Sequence, residues 1–278
     1  MTVTSVGNVL SARNVVKIFA REDGTPTLAL ADVSLEVSMG EVLVLVGASG
    51  CGKTTFLRLF AGLELPTAGE VQRFGRTVTG PAAEAALVFQ SSVLLPWRTI
   101  RENVMLPAEI QRRKGSEWRD RATELLEMTG LAAFADAYPR ELSGGMRQRA
   151  SICRALLLDP PILFMDEPFG ALDAITRATL NRELYATWRH TGKTIVFVTH
   201  DITEAVRLGS RVVVMTPRPG RIAHINEIVI DAESYDERIE SQQYVDLLRE
   251  LEHQVHVITS TTERDDGSPA AADADLVR

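Results

Sequence analysis

The 278-residue chain carries 30 Lys and Arg against 37 Asp and Glu, a net charge of −7, which leaves no basic balance for a nucleic-acid-binding face. Hydrophobic residues at 45% and charged residues at 24% suit a globular core and surface, and no apolar run is long enough to span a bilayer. The two cysteines, Cys51 and Cys153, make no disulfide framework, and the start of the chain has no basic stretch leading into a long apolar one. A reduced, cytosolic compartment is expected.

In chain order, residues 15–19 and 29–37 read as two strands joined through a turn at 21–26. Residues 42–46 (VLVLV) are an unbroken β-branched and aliphatic run, the pattern of a strand buried on both faces. After a glycine-rich stretch, 56–61 has helical spacing. Short strands follow at 70–74 and 86–89, grouped around a Gly75/Gly80-Pro81 turn region. Residues 101–158 are mostly helical in pattern; in 117–129, Ala122, Leu125, Leu126 and Thr129 share a face and Gly130 stands at C′. The core resumes with a strand at 161–167 ending in two acids, a helix at 174–190, and strands at 194–198 and 211–215. Tyr244, Leu247, Leu248, Leu251 and Val255 recur on an amphipathic helix, and the polar, acidic 260–278 is expected to be disordered.

Strands alternating with helices imply an α/β fold: a mostly parallel sheet covered on both faces, an antiparallel β subdomain, and a helical subdomain inserted at about 91–158. The expected division is a main domain over 8–224, an extension over 225–259 and a tail over 260–278.

Between the strand at 42–46 and its helix lies Gly47-Ala48-Ser49-Gly50-Cys51-Gly52-Lys53-Thr54-Thr55. Strand, glycine-rich turn and helix is the context in which G-x-x-x-x-G-K-[ST] means a phosphate site. The glycines let successive N–H groups converge on an anion, and the helix start adds its positive end. Lys53 would reach the β- and γ-phosphates and the Thr54 hydroxyl would ligate Mg²⁺, so the chain is expected to bind a nucleoside triphosphate. Asp166, ending its strand, suits the same Mg²⁺; Glu167 is placed to orient or deprotonate an attacking water. His200, at one strand end, would donate to the γ-phosphate or position the water, and Gln90, at another, would reach Mg²⁺ or the water. Phe19 either stacks on a base or packs in the core; its spacing serves both. Ser143 is a helix N-cap with Gly144 and Gly145 behind it, a second anion-binding terminus. Lying in the helical insertion, this terminus would serve a partner chain's nucleotide, giving two half-sites related by a two-fold axis.

In these residues the chain resembles the ATP-binding-cassette ATPases over about 15–224, with a P-loop NTPase (RecA-like) core. The Walker A loop is 47–55, the Q-loop glutamine Gln90, the signature LSGGMRQR at 142–149, Walker B ILFMDE at 162–167, the D-loop 170–173 and the switch histidine His200. The resemblance implies ATP and Mg²⁺ as cofactors, and Phe19 as the adenine-stacking aromatic. It also implies Ser143, Gly144, Gly145 and Gln148 as ATP contacts in trans, and Thr54, Gln90 and Asp166 as Mg²⁺ ligands. Residues 95–104 and 215–222 are similar to importer ATPases of the nitrate/sulfonate/taurine type. Such subunits act as a pair on the cytoplasmic face of a membrane permease served by a periplasmic or lipid-anchored solute-binding protein. The segment 90–98 would then lie where the permease docks, or else pack the helical insertion. Two other readings use the same loop. A soluble clamp on nucleic acid or ribosomes needs a coiled-coil insertion or a second cassette, which the sequence lacks. A small-molecule kinase leaves the signature and His200 without work.

Overall fold

The computed structural model describes residues 7–20, 24–170 and 172–265. β1 (Asn8–Ala20) and β2 (Pro26–Ser38) form a long antiparallel pair that extends beyond the expected strands at both ends. After β3 (Val42–Val46) and α1 (Lys53–Ala61), β4 (Ala68–Arg73) and the short β5 (Arg76–Thr77) complete a four-stranded antiparallel sheet of order β2-β1-β4-β5. Phe74 and Gly75 both take positive φ in the β4–β5 turn, the requirement of a tight hairpin with primed-turn geometry.

The second sheet carries the site. β3 lies inside it with β6 (Ala85–Val88), β7 (Ile162–Asp166), β8 (Thr194–Val198) and β9 (Arg211–Met215), all parallel. β10 (Ile222–Glu227) adds an antiparallel edge, giving the order β10-β9-β3-β8-β7-β6. Every residue of β3, β7 and β8 is buried, because both faces are covered. Leu43, Leu45, Phe164, Val196 and Val213 face one core with α1 and the antiparallel sheet. Their neighbours Val44, Val46, Leu163, Met165, Phe197 and Val212 face the other, with the remaining helices. α1 is buried between the sheets, its Phe56 and Phe60 rings tilted together at 4.7 Å.

Between β6 and β7 stand α2 (Ile100–Ile110), α3 (Glu117–Met128) and α4 (Gly144–Leu156), which form the helical insertion. α5 (Ala174–Thr191) joins β7 to β8 and α6 (Ile202–Leu208) joins β8 to β9. After β10 come α7 (Tyr235–Glu240) and α8 (Gln242–Asp265), whose Tyr235, Tyr244 and Leu251 are buried in the helical core.

The strands expected together at 70–74 and 86–89 are separated. β4 pairs with β1, whereas β6 joins the edge of the parallel sheet beside β7. Gly75 closes the β4–β5 hairpin, and the stretch with Gly80-Pro81 then carries the chain across to the other sheet. α8 runs past the expected end at 259 to Asp265, and residues 266–278, read as a disordered tail, lie outside the described residues. No helix among the described residues is long and apolar enough to cross a membrane.

Candidate functional site

The loop 47–52 leaves the carboxyl end of β3 and turns into α1 at Gly52, which has φ 95. A Cβ there would stand 2.7 Å from Leu30 Cδ2 and 3.0 Å from the Ala29 carbonyl, so glycine is required for both conformation and space. Lys53 is buried, and its ammonium donates to the Gly47 and Ala48 carbonyls at 2.8 and 3.0 Å, drawing the loop into a ring around the charge.

Acidic groups face this loop from β7. The Thr54 hydroxyl donates to Asp166 Oδ1 at 2.7 Å. Burial pushes the Asp166 carboxyl up, and the Thr54 hydrogen bond opposes it. Glu167 leaves the strand with φ 44, its N–H donating to the Val198 carbonyl at 2.9 Å. Its Oε2 accepts from Gln90 Nε2 at 3.1 Å and lies 3.4 Å from His200 Nδ1. Three strand ends thus meet at one carboxylate. His200 remains open, with 60% of its side chain exposed against 22% for Glu167.

The cleft of about 400 Å³ beside the loop is lined by Ser49, Gly50, Lys53, Thr54 and Thr55 on one side, and by Phe19, Thr27 and Ala29 on another, with Glu167 at hand. Phe19 is therefore a wall of the cleft and not a core residue, and the Lys17 ammonium lies 4.7 Å from its ring centroid. Lys17 is fixed in turn by Glu64 at 2.8 Å and the Leu65 carbonyl.

The other terminus lies elsewhere. Ser143 caps α4, its Oγ accepting from the Met146 N–H at 3.3 Å. Ser143 and Gly144 are exposed, and none of Ser143, Gly144 and Gly145 lines the cleft. A Cβ on Gly145 would come 3.1 Å from Leu172 Cδ2, so this helix start packs against the segment after β7. Gln148 departs from its expected place: it is 3% exposed and donates to the Phe89 carbonyl at 3.0 Å. One helical turn past the cap, it faces inward and ties α4 to the residue before Gln90.

Along 90–98 the two alternatives divide by residue. Leu94 packs against the core, whereas Val93 and Trp97 are exposed, Trp97 by 71%. Buried Asn103 holds the segment, accepting from the Leu95 N–H and donating to the carbonyls of Leu95, Arg98 and Thr99. Arg154 holds its start through the Ser92 and Val93 carbonyls. Beside it runs an apolar groove of about 630 Å³ walled by Leu87, Phe89, Leu95, Leu106 and Ile110.

Arg218, beyond β9, also lines this cleft, and its Nε donates to the Gly50 carbonyl at 3.2 Å. In the sequence Arg218 stands out only as part of the importer-like stretch 215–222. A cation between two prolines after a core strand was the available signal.

The profile of the ABC transporter family matches residues 30–170. The chain belongs to the ABC transporter family. Within it, this chain is an ATP-binding ATPase subunit. The taurine import ATP-binding protein TauB of Jannaschia sp. is 43% identical over 213 residues, 77% of this chain and 80% of that protein. The nitrate import ATP-binding protein NrtC of Synechococcus elongatus is 43% identical over 87% of this chain, which corresponds to 37% of the relative's length. Among solved structures, the dimeric ATP-binding cassette MJ0796 in a post-hydrolysis state with ADP and Pi is similar. Its TM-score is 0.72 at 34% identity, over 80% of this chain and 99% of that one.

Proposed function

We propose that this ABC ATPase drives import of a small anionic or zwitterionic solute of the nitrate, sulfonate or taurine class from the cytoplasmic face of a membrane permease. Two copies close face to face on two ATP molecules. The Lys53 loop of one copy and the Ser143-Gly144-Gly145 terminus of the other grip each γ-phosphate. The observation that carries the two-chain mechanism is the meeting of Gln90, Glu167 and His200 at one carboxylate in the phosphate-loop cleft, with the second anion-binding terminus exposed outside it. The likeness to the taurine and nitrate import proteins supports the solute class.

In the reaction, Glu167 takes a proton from the water whose oxygen attacks the γ-phosphorus, and the bond to the bridging oxygen breaks to release ADP. His200 and Gln90 hold that carboxylate and the water, and closure excludes other solvent. Thr54, Asp166 and the Gln90 amide offer oxygen donors alone, which fits a hard cation whose other ligands are phosphate and water. When bound there, Mg²⁺ supplies neutralisation of charge across the β- and γ-phosphates. The exposed Val93–Trp97 rim and the apolar groove beside it fit docking of a permease segment, and a solute-binding protein delivers the solute on the far side. No feature favours nucleic acid as a partner.

Replacing Glu167 with Gln keeps the hydrogen bonds and removes the base. The variant is expected to bind ATP, to lose about 10²- to 10⁴-fold in kcat, and to run as a stable dimer with ATP in light-scattering chromatography. Hydrolysis at the parent rate would remove Glu167 from the mechanism; a monomer at saturating ATP would remove the sandwich.

A further inference from the structure

We propose that Arg218 is a second cationic contact to the phosphate chain of the nucleotide, alongside Lys53. The inference rests on the reading of the cleft as the nucleotide site. Arg218 stands at the tip of a small loop that closes on itself: the Thr216 N–H donates to the Arg221 carbonyl, the Arg221 N–H to Thr216 Oγ1, and Thr216 Oγ1 to the Pro219 carbonyl. The loop is stitched to β2, with the Gly220 N–H donating to the Ala29 carbonyl at 2.9 Å and the Ala31 N–H to the Gly220 carbonyl at 3.0 Å. From this base the guanidinium lies against Gly50 of the phosphate loop. A Cβ built on Gly50 would meet its Nη2 at 2.8 Å and its Cζ at 3.4 Å. Only Nε is engaged, on the Gly50 carbonyl at 3.2 Å, and the terminal nitrogens meet no acceptor among the described residues. Arg218 is exposed and lines the same cleft as Lys53, Thr54 and Glu167. A planar fork of free N–H donors, held by its inner nitrogen beside a phosphate-binding loop, matches a pair of phosphate oxygens. Its Nε contact reports the loop's position while its outer edge takes the anion.

The test is displacement of a fluorescent ATP analogue by ATP, ADP, AMP and adenosine from the wild-type chain, Arg218→Ala and Arg218→Lys. Arg218→Ala is expected to weaken ATP and ADP about tenfold at low salt and to leave adenosine within about twofold. The difference should shrink in about 0.5 M salt. Arg218→Lys keeps the charge but loses the Nε contact with Gly50, and should recover part of the loss. The proposal is overturned if Arg218→Ala binds ATP and ADP like wild type, if adenosine weakens equally, or if Arg218→Lys is as weak as Arg218→Ala at both salts. That last result would make Arg218 a prop for Gly50 alone. A wild-type chain that does not bind the analogue would overturn the cleft's assignment as well, whereas the other outcomes leave that assignment standing.

Discussion

Glu167 holds a left-handed backbone, φ 44, at a cost of roughly 1–2 kcal/mol for a residue with a side chain. The Val198 hydrogen bond fixes it, and the result is a carboxylate swung off β7 toward Gln90 and His200, while Asp166 stays in line with Thr54. Adjacent acids thus take different partners through one backbone torsion. The residue types and their positions at strand ends were legible in the sequence, because phosphate loops and strand-terminal acids follow local rules. Which way each side chain turns was not, since Gln148 and Arg218 are decided by packing between distant segments. Cys153 shows how far burial governs a residue. It is fully buried between α3 and α4, with its thiol 3.2 Å from Thr129 Oγ1 and donating to the Leu125 carbonyl, and burial pushes its pKa up to about 11. The folded state binds this proton more tightly than the unfolded one. The associated stability is complete below a pH of about 9 and is lost as the pH rises through about 11. Iodoacetamide at pH 8, followed by peptide mapping, should leave Cys153 unmodified in the native protein and modify it fully in urea. Rapid native labelling would mean that α3 and α4 part far more readily than their packing implies.

At the scale of elements, long buried strands and helices with a regular apolar spacing were readable, and VLVLV, ILFMD and TIVFV lie in a doubly covered sheet. β10, α6 and α7 escaped. β10 is an edge strand with no fully buried residue, and α6 and α7 are short helices whose only local sign is a cap, Asp201 on the N–H groups of Thr203 and Glu204, and Ser234 on Glu237. What holds α7 is tertiary. Buried Arg238 donates through Nη2 to the Val206 and Gly209 carbonyls at 3.0 and 2.6 Å, and through Nε to Val206, stacking within 5.6 Å of the Tyr185 ring. It caps the carboxyl end of α6, the helix that follows His200, and so ties the C-terminal extension to the segment that carries His200. Arg238→Met keeps the stem but leaves those carbonyls without donors, and should lower the unfolding free energy in urea by about 2–3 kcal/mol. A loss under about 0.5 kcal/mol would place the bond among dispensable surface contacts. The role proposed for His200 should survive if the helix keeps its position, so ATPase activity below the transition is the accompanying control.

For the whole molecule, the phosphate loop and the Ser143 terminus occupy separate surfaces of one chain, and the proposed reaction needs both at one nucleotide. Composite ownership has a consequence that no single variant can show. Lys53→Ala damages the cradle, and Ser143→Arg blocks the terminus with a bulky cation, so a dimer of either variant contains only damaged sites. A mixed dimer differs: one site combines both faults, and the other combines an intact Lys53 loop with an intact Ser143 terminus. Random assortment makes half of the dimers mixed, each with one sound site of two, so mixing equal amounts should restore roughly a quarter of wild-type ATPase activity. Recovery should rise and fall with protein concentration as mixed dimers form and dissociate. If each chain completed its own site, mixing would return only the mean of two inactive proteins. Steady-state phosphate release from the separate and mixed variants, at matched total concentration, decides between the two arrangements. Restoration would also imply that one sound site turns over beside a dead neighbour, and its absence in mixtures shown by mass spectrometry to contain the mixed dimer would require either strict coupling between the sites or a site built within one chain. A dimer of wild-type with doubly substituted Lys53→Ala, Ser143→Arg protein separates those two: each of its sites has one fault under shared ownership, whereas the wild-type half remains fully active if the site is its own.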